Sequence, residues 1–371
     1  MRSPTRFAAT GRRLLASSRG ALALAAFALA ATASPAASAA GELSLHCKPA
    51  FKPTTVTVMY QPSGLSSYFY ASAAGIWQKF GLKLRQVKIE AGQSELAALA
   101  GGSVDFAFIG GPPTLTAIGR KLPVTVIFST NDVSYLEGLV VAPDSGIKTL
   151  ADLEGKTVAS PKGSSAWVGM HLTLAKAGVP VDKVHLLNLS PNAIQASFSN
   201  GTVKAAWIWD TWIERLKSLG GKVVTLEHEH GVSEPNTWVV NNTFLKEHPD
   251  VVARFVAALS VGADGANKDP SVAAPEFSEL TGITHAQALE IMRTEPTFNI
   301  ATGLSQDSPL SFVNARIGLA ETLARSSAVL QKYGILPDAP NREQIAKAID
   351  VSTLHLADDM LAKRCSYEPA H

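Results

Sequence analysis

Two widely separated stretches share one order of parts, and no other feature constrains the fold as much. The first runs Gly101-Gly102-Ser103-Val104-Asp105-Phe106-Ala107-Phe108-Ile109-Gly110-Gly111-Pro112-Pro113, and the second runs Asn200-Gly201-Thr202-Val203-Lys204-Ala205-Ala206-Trp207-Ile208-Trp209. In each, a short helical segment leads into Gly-Ser/Thr-Val with a polar or charged residue, then a β-prone run that ends at a turn into a new helix. Apolar residues mixed with β-branched and aromatic ones argue for buried strands. Gly110 and Gly111 permit a tight turn and close backbone approach, and proline suits the first turn of a helix. A helix N-terminus carries unpaired N–H groups and the positive end of the dipole, so it can hold an anion. One such turn is an ordinary strand-turn-helix. Its recurrence predicts two similar lobes that face a shared cleft.

The N-terminus reads as a secretory signal over residues 1–39. Arg2, Arg6, Arg12, Arg13 and Arg19 have no acidic partners, and the apolar run from Ala21 to Ala31 is too short to span a bilayer. Ala37-Ser38-Ala39 supplies a cleavage site before Ala40. The residues around Arg12-Arg13 fit twin-arginine export poorly, so the general secretory route is expected. No later stretch is long and apolar enough to span a membrane, which predicts a soluble exported chain. Beyond the N-terminus there is no Lys/Arg run, and the net charge is only +2, so nucleic acid is not an expected partner. In an oxidising compartment Cys47 and Cys365 can form one disulfide tying the two ends, with two free thiols as the alternative. Leu45-His46-Cys47 lacks the small residues that a lipid-anchor signal needs.

Taken in order, strands are expected at Thr54 to Tyr60, Leu82 to Ile89, Val104 to Ile109, Pro123 to Ser129 and Leu136 to Val141. Helices are expected at Leu65 to Phe80 and Ser94 to Ala100. Strands alternating with helices predict an α/β fold with a mostly parallel, doubly wound sheet in each of two lobes. A second lobe then follows over residues 142–238. It has strands at Thr157 to Ala159, Val184 to Leu189, Val203 to Trp209 and Val223 to Leu226, and a helix opened by Ser164 or Ser165. Residues 40–141 form the first part of lobe 1. Trp238-Val239-Val240 carries the chain back, residues 239–371 complete that lobe, and the hinge is expected near Val141 and Trp238. The remainder is helical, at Phe244 to Ala263, Thr284 to Arg293, Leu310 to Tyr333 and Asn341 to Lys347.

Motifs for catalysis are sparse. There is no Gly-x-Ser-x-Gly elbow and no His-Glu-x-x-His, and both cysteines lie in terminal segments. His228-Glu229-His230 has metal-ligand residue types, but a solvated loop explains it better, so no metal or other cofactor is expected. The cleft candidates sit at strand-to-helix junctions: Gln61 to Ser63, Gly110 to Thr114, Ser164-Ser165 and Asp210-Thr211. Each N–H or hydroxyl directed at an anion adds about 1 kcal/mol, so micromolar binding requires several. Trp207, Trp209, Trp212 and Trp238 can wall a cleft, although core packing is the default for any one of them. Asp210 and Glu137 can offset a cationic group on a ligand, or act as a helix cap and a surface charge.

With these residues in view, the chain resembles the periplasmic substrate-binding proteins of ABC importers for taurine, aliphatic sulfonates and nitrate. The likeness rests on Val58-Met59-Tyr60-Gln61, Gly102-Ser103-Val104-Asp105, the Gly110 turn, Leu150 to Ala159 with Pro161 and Ser164, the Trp209 region, and Trp238-Val239-Val240 before Phe244 to Phe255. It implies a periplasmic, two-lobed α/β binding protein and not an enzyme. Such a protein would act as a monomer, capturing a small organic anion and delivering it to an inner-membrane ABC permease. The implied ligand is taurine or an alkyl sulfonate, with nitrate, a sulfate ester or another small anion as alternatives. A sulfinate- or sulfonate-processing hydrolase on the same fold is the second functional class. The implied site comprises Gln61, Gly110, Gly111, Pro113, Thr114, Glu137, Ser164, Ser165, Trp209, Asp210, Asn236 and Trp238. Two departures from taurine binders stand out. Gly111 replaces a serine after the turn glycine, and Asn236-Thr237 replaces an acidic residue before the return tryptophan.

Overall fold

The computed structural model of the chain describes residues 44–48, 50–89 and 95–368. The secretory segment, its cleavage site and Ser94 lie outside the described residues. In chain order the described strands are β1 (Ser44–Cys47), β2 (Thr54–Tyr60), β3 (Leu82–Lys88), β4 (Phe106–Gly110), β5 (Val124–Asp132) and β6 (Glu137–Val141). They continue with β7 (Thr157–Ser160), β8 (His185–Asn188), β9 (Ala205–Trp209), β10 (Lys222–Leu226), β11 (Pro235–Asn241) and β12 (Cys365–Glu368).

Two five-stranded sheets repeat one pattern. The first has the order β3-β2-β4-β11-β5 and the second β8-β7-β9-β6-β10. In each, four strands share a direction and the fourth in order runs antiparallel, β11 in one and β6 in the other. The sheets are therefore mixed, with the parallel strands that the βα alternation predicts and one return strand inserted in each. The repeated sequence units occupy equivalent places, since β4 and β9 are both third in order and both abut the inserted strand.

The chain passes between the sheets twice, from β5 to β6 through residues 133–136 and from β10 to β11 through residues 227–234. Sheet membership thus changes before Glu137 and before Pro235, not at Val141 and Trp238. The apolar runs at Glu137–Val141 and Pro235–Asn241 are each paired across to a sheet built mostly by other parts of the chain, and periodicity alone does not reveal the partner. The two crossovers hold each other: Glu234 N–H donates to Asp132 Oδ1 at 2.9 Å, and Val133 N–H donates to Glu234 O at 2.8 Å.

Alternation along β4 divides its side chains between two cores, as a period of two requires. Phe106 and Phe108 pack with Trp238, Tyr68 and Phe255 under the helix Pro249–Lys268, whereas Ala107 and Ile109 join a second cluster with Leu115 and Leu323. Phe106 and Phe255 stack with centroids 4.0 Å apart.

Several expected helices differ for local reasons. The segment from Leu65 breaks into Ser66–Ala73 and Ile76–Lys79 because Gly75 adopts φ +66°. Pro249 has no N–H to continue the helix Asn242–Glu247, so it opens a new one. Before Leu319 the chain is held in turns, where Ser311 Oγ accepts from Val313 and Asn314 N–H. Three helices are not expected from the sequence, Ala274–Thr281, Ile300–Leu304 and Val351–Arg364, the last capped by Asp350 accepting from Ser352 and Thr353 N–H. At the ends, β1 and β12 pair with Cys47 opposite Cys365, and these two form a disulfide. No helix among the described residues is long and apolar enough to cross a membrane.

Candidate functional site

Four parallel strands deliver their carboxyl ends to one place. A cavity of about 90 Å³ lies where β2, β4, β7 and β9 stop, with lining residues drawn from both sheets. Ligand sites in open α/β sheets form at this end of the strands. The volume is several times the roughly 10–15 Å³ that one water needs. From the first sheet come Gln61, Ser63, Phe108, Gly110, Pro113 and Asn236. The second contributes Glu137, the turn Pro161-Lys162-Gly163-Ser164-Ser165, and Trp209.

The repeat gives the cavity an internal symmetry. Gly110 ends β4 opposite Asn236, the second residue of β11, and Trp209 ends β9 opposite Glu137, the first residue of β6. The sides nearly touch, because a β-carbon placed on Gly110 would lie 3.5 Å from both Ser165 Oγ and Asn236 Oδ1. Gly64 closes the turn after β2 at φ +65°, where a β-carbon would fall 2.2 Å from Asn131 Nδ2.

Two helices begin at the cavity and differ in what they offer an anion. The helix Gly111–Gly119 carries Pro112 and Pro113 in its first turn, so two of its leading N–H donors do not exist. The helix Ser165–Lys176 keeps its donors and is capped by Ser164, whose Oγ accepts from Trp167 N–H at 3.1 Å. Beside it Lys162 supplies the one ammonium among the lining residues. Ser63 Oγ is buried and has no hydrogen-bond partner.

Behind the cavity stand four buried carboxyls, Asp132, Glu137, Glu227 and Glu234, at the ends of the two crossovers. Glu137 Oε1 accepts from Ser165 Oγ at 2.5 Å, and Glu227 Oε1 accepts from Trp207 Nε1 at 2.8 Å. Burial raises the Glu137 pKa well above the ordinary carboxyl value, Glu234 and Asp132 raise it further, and the Ser165 hydrogen bond opposes the rise. Burial likewise raises Glu227, reinforced by Glu137 and Glu234. The other oxygen of each carboxyl, Glu137 Oε2 and Glu227 Oε2, is buried without a hydrogen-bond partner. Glu234, whose Oε1 accepts from Ser326 Oγ at 2.7 Å, is pushed up to about 8, by burial first and then by Asp132. The upward shifts of Glu137, Glu227 and Glu234 favour their neutral forms, which lessens the repulsion an anion would meet here.

Of the residues expected at the site, Gln61, Gly110, Pro113, Glu137, Ser164, Ser165, Trp209 and Asn236 line the cavity. Gly111 packs instead on Leu323 and the Pro235 carbonyl. Thr114 lies beneath the turn, its Oγ1 donating to Gly110 O at 2.9 Å and meeting Thr237 Oγ1 at 2.6 Å. Trp238 is fully buried among Tyr68, Phe108 and Phe255. Asp210, the first residue past the end of β9, lines a different cavity. Lys162 and Ser63 sit in turns already singled out in the sequence, whereas Phe108 and Val133 carried no signal beyond apolarity. His228 and His230 lie in a short 3-10 turn, where His228 stacks on Tyr135 with centroids 4.1 Å apart. No cluster of three or more His, Cys, Asp or Glu able to hold a metal occurs among the described residues.

Comparison with known proteins places this architecture. Residues 64–273, more than half of the chain, match the model of the family described as NMT1/THI5 like. The chain belongs to the NMT1/THI5-like family. Within it, the chain is similar to a putative binding protein of Brucella abortus, with 28% identity over 56% of this chain and 65% of that protein. The chain therefore spans just under two thirds of the length of that relative. A putative aliphatic sulfonates-binding protein of Bacillus subtilis is 26% identical over 74% of this chain and 81% of its own. The taurine-binding periplasmic protein of Escherichia coli is 29% identical over 54% and 62%. Among solved structures, the periplasmic aliphatic sulphonate binding protein SsuA of E. coli superposes with a TM-score of 0.67 at 21% identity, covering 79% of this chain and 92% of that one. The desulfurization enzyme DSZB shares the fold with a TM-score of 0.60 at 16% identity, covering 82% and 99%. These likenesses are in fold, and a fold does not by itself specify function.

Proposed function

We propose that this chain is an extracytoplasmic solute-binding protein that captures a small organic anion of the sulfonate class and delivers it to an ABC importer in the inner membrane. The observation that carries this reading is the cavity at the strand ends, where Ser63, Ser164, Ser165 and Lys162 converge with an intact helix N-terminus. These groups suit a tetrahedral oxyanion with a short apolar stem, and Phe108 and Trp209 wall the stem. The names of the Bacillus and E. coli relatives point the same way. In this reading the two sheets anchor two lobes, the crossovers at residues 133–136 and 227–234 are the hinge, and ligand contacts from both lobes favour closure. Taurine or an alkyl sulfonate is the leading ligand. Cys47 and Cys365 are bonded to each other at the chain ends, so no thiol faces the cavity, which favours binding over sulfinate cleavage.

A thermal-shift screen over taurine, ethanesulfonate, sulfate, nitrate and an alkyl sulfinate tests the proposal. A ligand at 100 times its Kd stabilises by about 2.7 kcal/mol, a readily measured shift. Silence from every sulfonate overturns the ligand class, and release of product from the sulfinate overturns the binding-only role.

A further inference from the structure

Glu137 and Trp209 face each other across β6 and β9 and both line the cavity described above. Their chain neighbours Leu136 and Asp210 are also joined, by Asp210 N–H donating to Leu136 O at 2.9 Å. These neighbours line a second cavity of about 230 Å³ that shares no residue with the first. Its other walls come from Tyr135, from Val223 and Leu226 of β10, and from the helices Trp212–Ser218 and His285–Thr294, two segments far apart in sequence that meet here. Gln287 Nε2 donates to Glu214 Oε2 at 3.1 Å at that meeting.

The lining chemistry is selective. Asp210, Glu214 and Glu290 bring three carboxyls, and the one lining cation, Lys217, is already on Glu214 Oε1 at 2.5 Å. Asp210 is only 3% exposed, and its Oδ2 has no hydrogen-bond partner. A buried carboxyl oxygen left without a donor is costly, so this atom calls for one. Leu136, Ile213 and Ile291 provide apolar wall next to it. We infer that the Asp210 cavity is a second ligand site, separate from the anion cavity, that takes a small organic ammonium with its N–H donors on Asp210 and its hydrocarbon stem on the isoleucines. An ammonium meets the unpartnered oxygen and the excess of carboxyls together, and a short alkyl stem meets the apolar walls. A bare anion meets neither.

The test is calorimetric titration of the full mature chain with n-butylammonium chloride, using inorganic ammonium chloride as the stemless control. Saturable binding is expected, with butylammonium at least several-fold tighter than ammonium. Asp210→Asn should weaken butylammonium tenfold or more, Glu290→Gln at its exposed position should weaken it several-fold, and Ser165→Ala should leave it unchanged. Absence of saturable binding at tens of millimolar overturns the inference, as does binding that Ser165→Ala abolishes. If Asp210→Asn does not fold, Glu290→Gln decides alone, and an unchanged affinity there overturns the proposal. Because Ser165 and Asp210 lie in different cavities, failure of this site and failure of the sulfonate site are read separately.

Discussion

Ser165 Oγ donates to Glu137 Oε1 at 2.5 Å, which ties the first turn of the helix Ser165–Lys176 to the first residue of β6. One hydroxyl thus orients the buried carboxyl and marks the best-formed anion cradle of the cavity. Ser165→Ala removes a donor from a buried acceptor, a change that costs about 1–3 kcal/mol of stability. If the proposed site is correct, the same variant also loses about tenfold in affinity for ethanesulfonate, equivalent to about 1.4 kcal/mol. Urea denaturation reads the first effect and calorimetry the second. Unchanged values in both would remove Ser165 from any role at the site.

Much of this arrangement was open to inspection in the chain. Gly110, Ser164 and Trp209 each end a strand or open a helix, and the turn residues around them say so. The repeat from Gly201 to Trp209 correctly paired β4 with β9. What the sequence hid was pairing between distant segments: that Glu137 lies opposite Trp209 and Asn236 opposite Gly110 depends on strands exchanged between sheets. Asp210 is a different case, since it lies in the turn just past β9, where the strand pattern no longer says which side a residue takes. Pro112 and Pro113 could have been counted as missing donors at the Gly110 turn. The helix Val351–Arg364 went unread although Asp350 announces its start, because the segment's weak amphipathicity hides its buried face.

The buried carboxyls give stability a definite pH dependence. Glu234 is raised to about 8 and Glu295 to about 7 in the folded chain, each chiefly by burial, against an unfolded value of 4.5. The folded state therefore binds protons more tightly, so the stability these groups contribute is fully present below pH 4.5. It is lost as pH rises towards 7 and 8. Glu137 and Glu227, raised well above the same reference, extend the trend upward. The expected loss between pH 5 and pH 9 is on the order of a few kcal/mol. Glu234→Gln, which cannot ionise, should flatten the melting temperature over pH 5–8. A midpoint that rises across this range would contradict the protonated assignment.

The disulfide joins residues 318 positions apart. In the chain-entropy model such a loop is worth about 6 kcal/mol, and native disulfides commonly deliver about 2–5. Reduction, or the Cys47→Ser/Cys365→Ser double variant, should lower the melting temperature while leaving anion affinity within about twofold, since neither cysteine lines the cavity. Differential scanning calorimetry with and without dithiothreitol measures the first expectation, and titration of the reduced protein the second. A large loss of affinity on reduction would mean that the ends of the chain communicate with the site.

Gly169 marks how closely the carboxyl pair is enclosed. It lies on the inner face of the helix Ser165–Lys176, and a β-carbon there would fall 1.9 Å from Glu227 Oε2 and 2.2 Å from Oε1. Glu227 has little freedom to retreat, because it is fully buried and accepts from Trp207 Nε1 at 2.8 Å. Alanine in place of glycine within a helix ordinarily gains about 1 kcal/mol. Here overpacking of about 1–3 kcal/mol opposes that gain, and displacement of a buried carboxyl from its partner adds to the loss. Gly169→Ala should therefore be destabilising by about 1–3 kcal/mol net. It should also lower sulfonate affinity through Glu137, although no atom of residue 169 lines the cavity. Denaturation with and without ethanesulfonate separates the two effects, and a variant as stable as the parent would show that Glu227 can move aside freely.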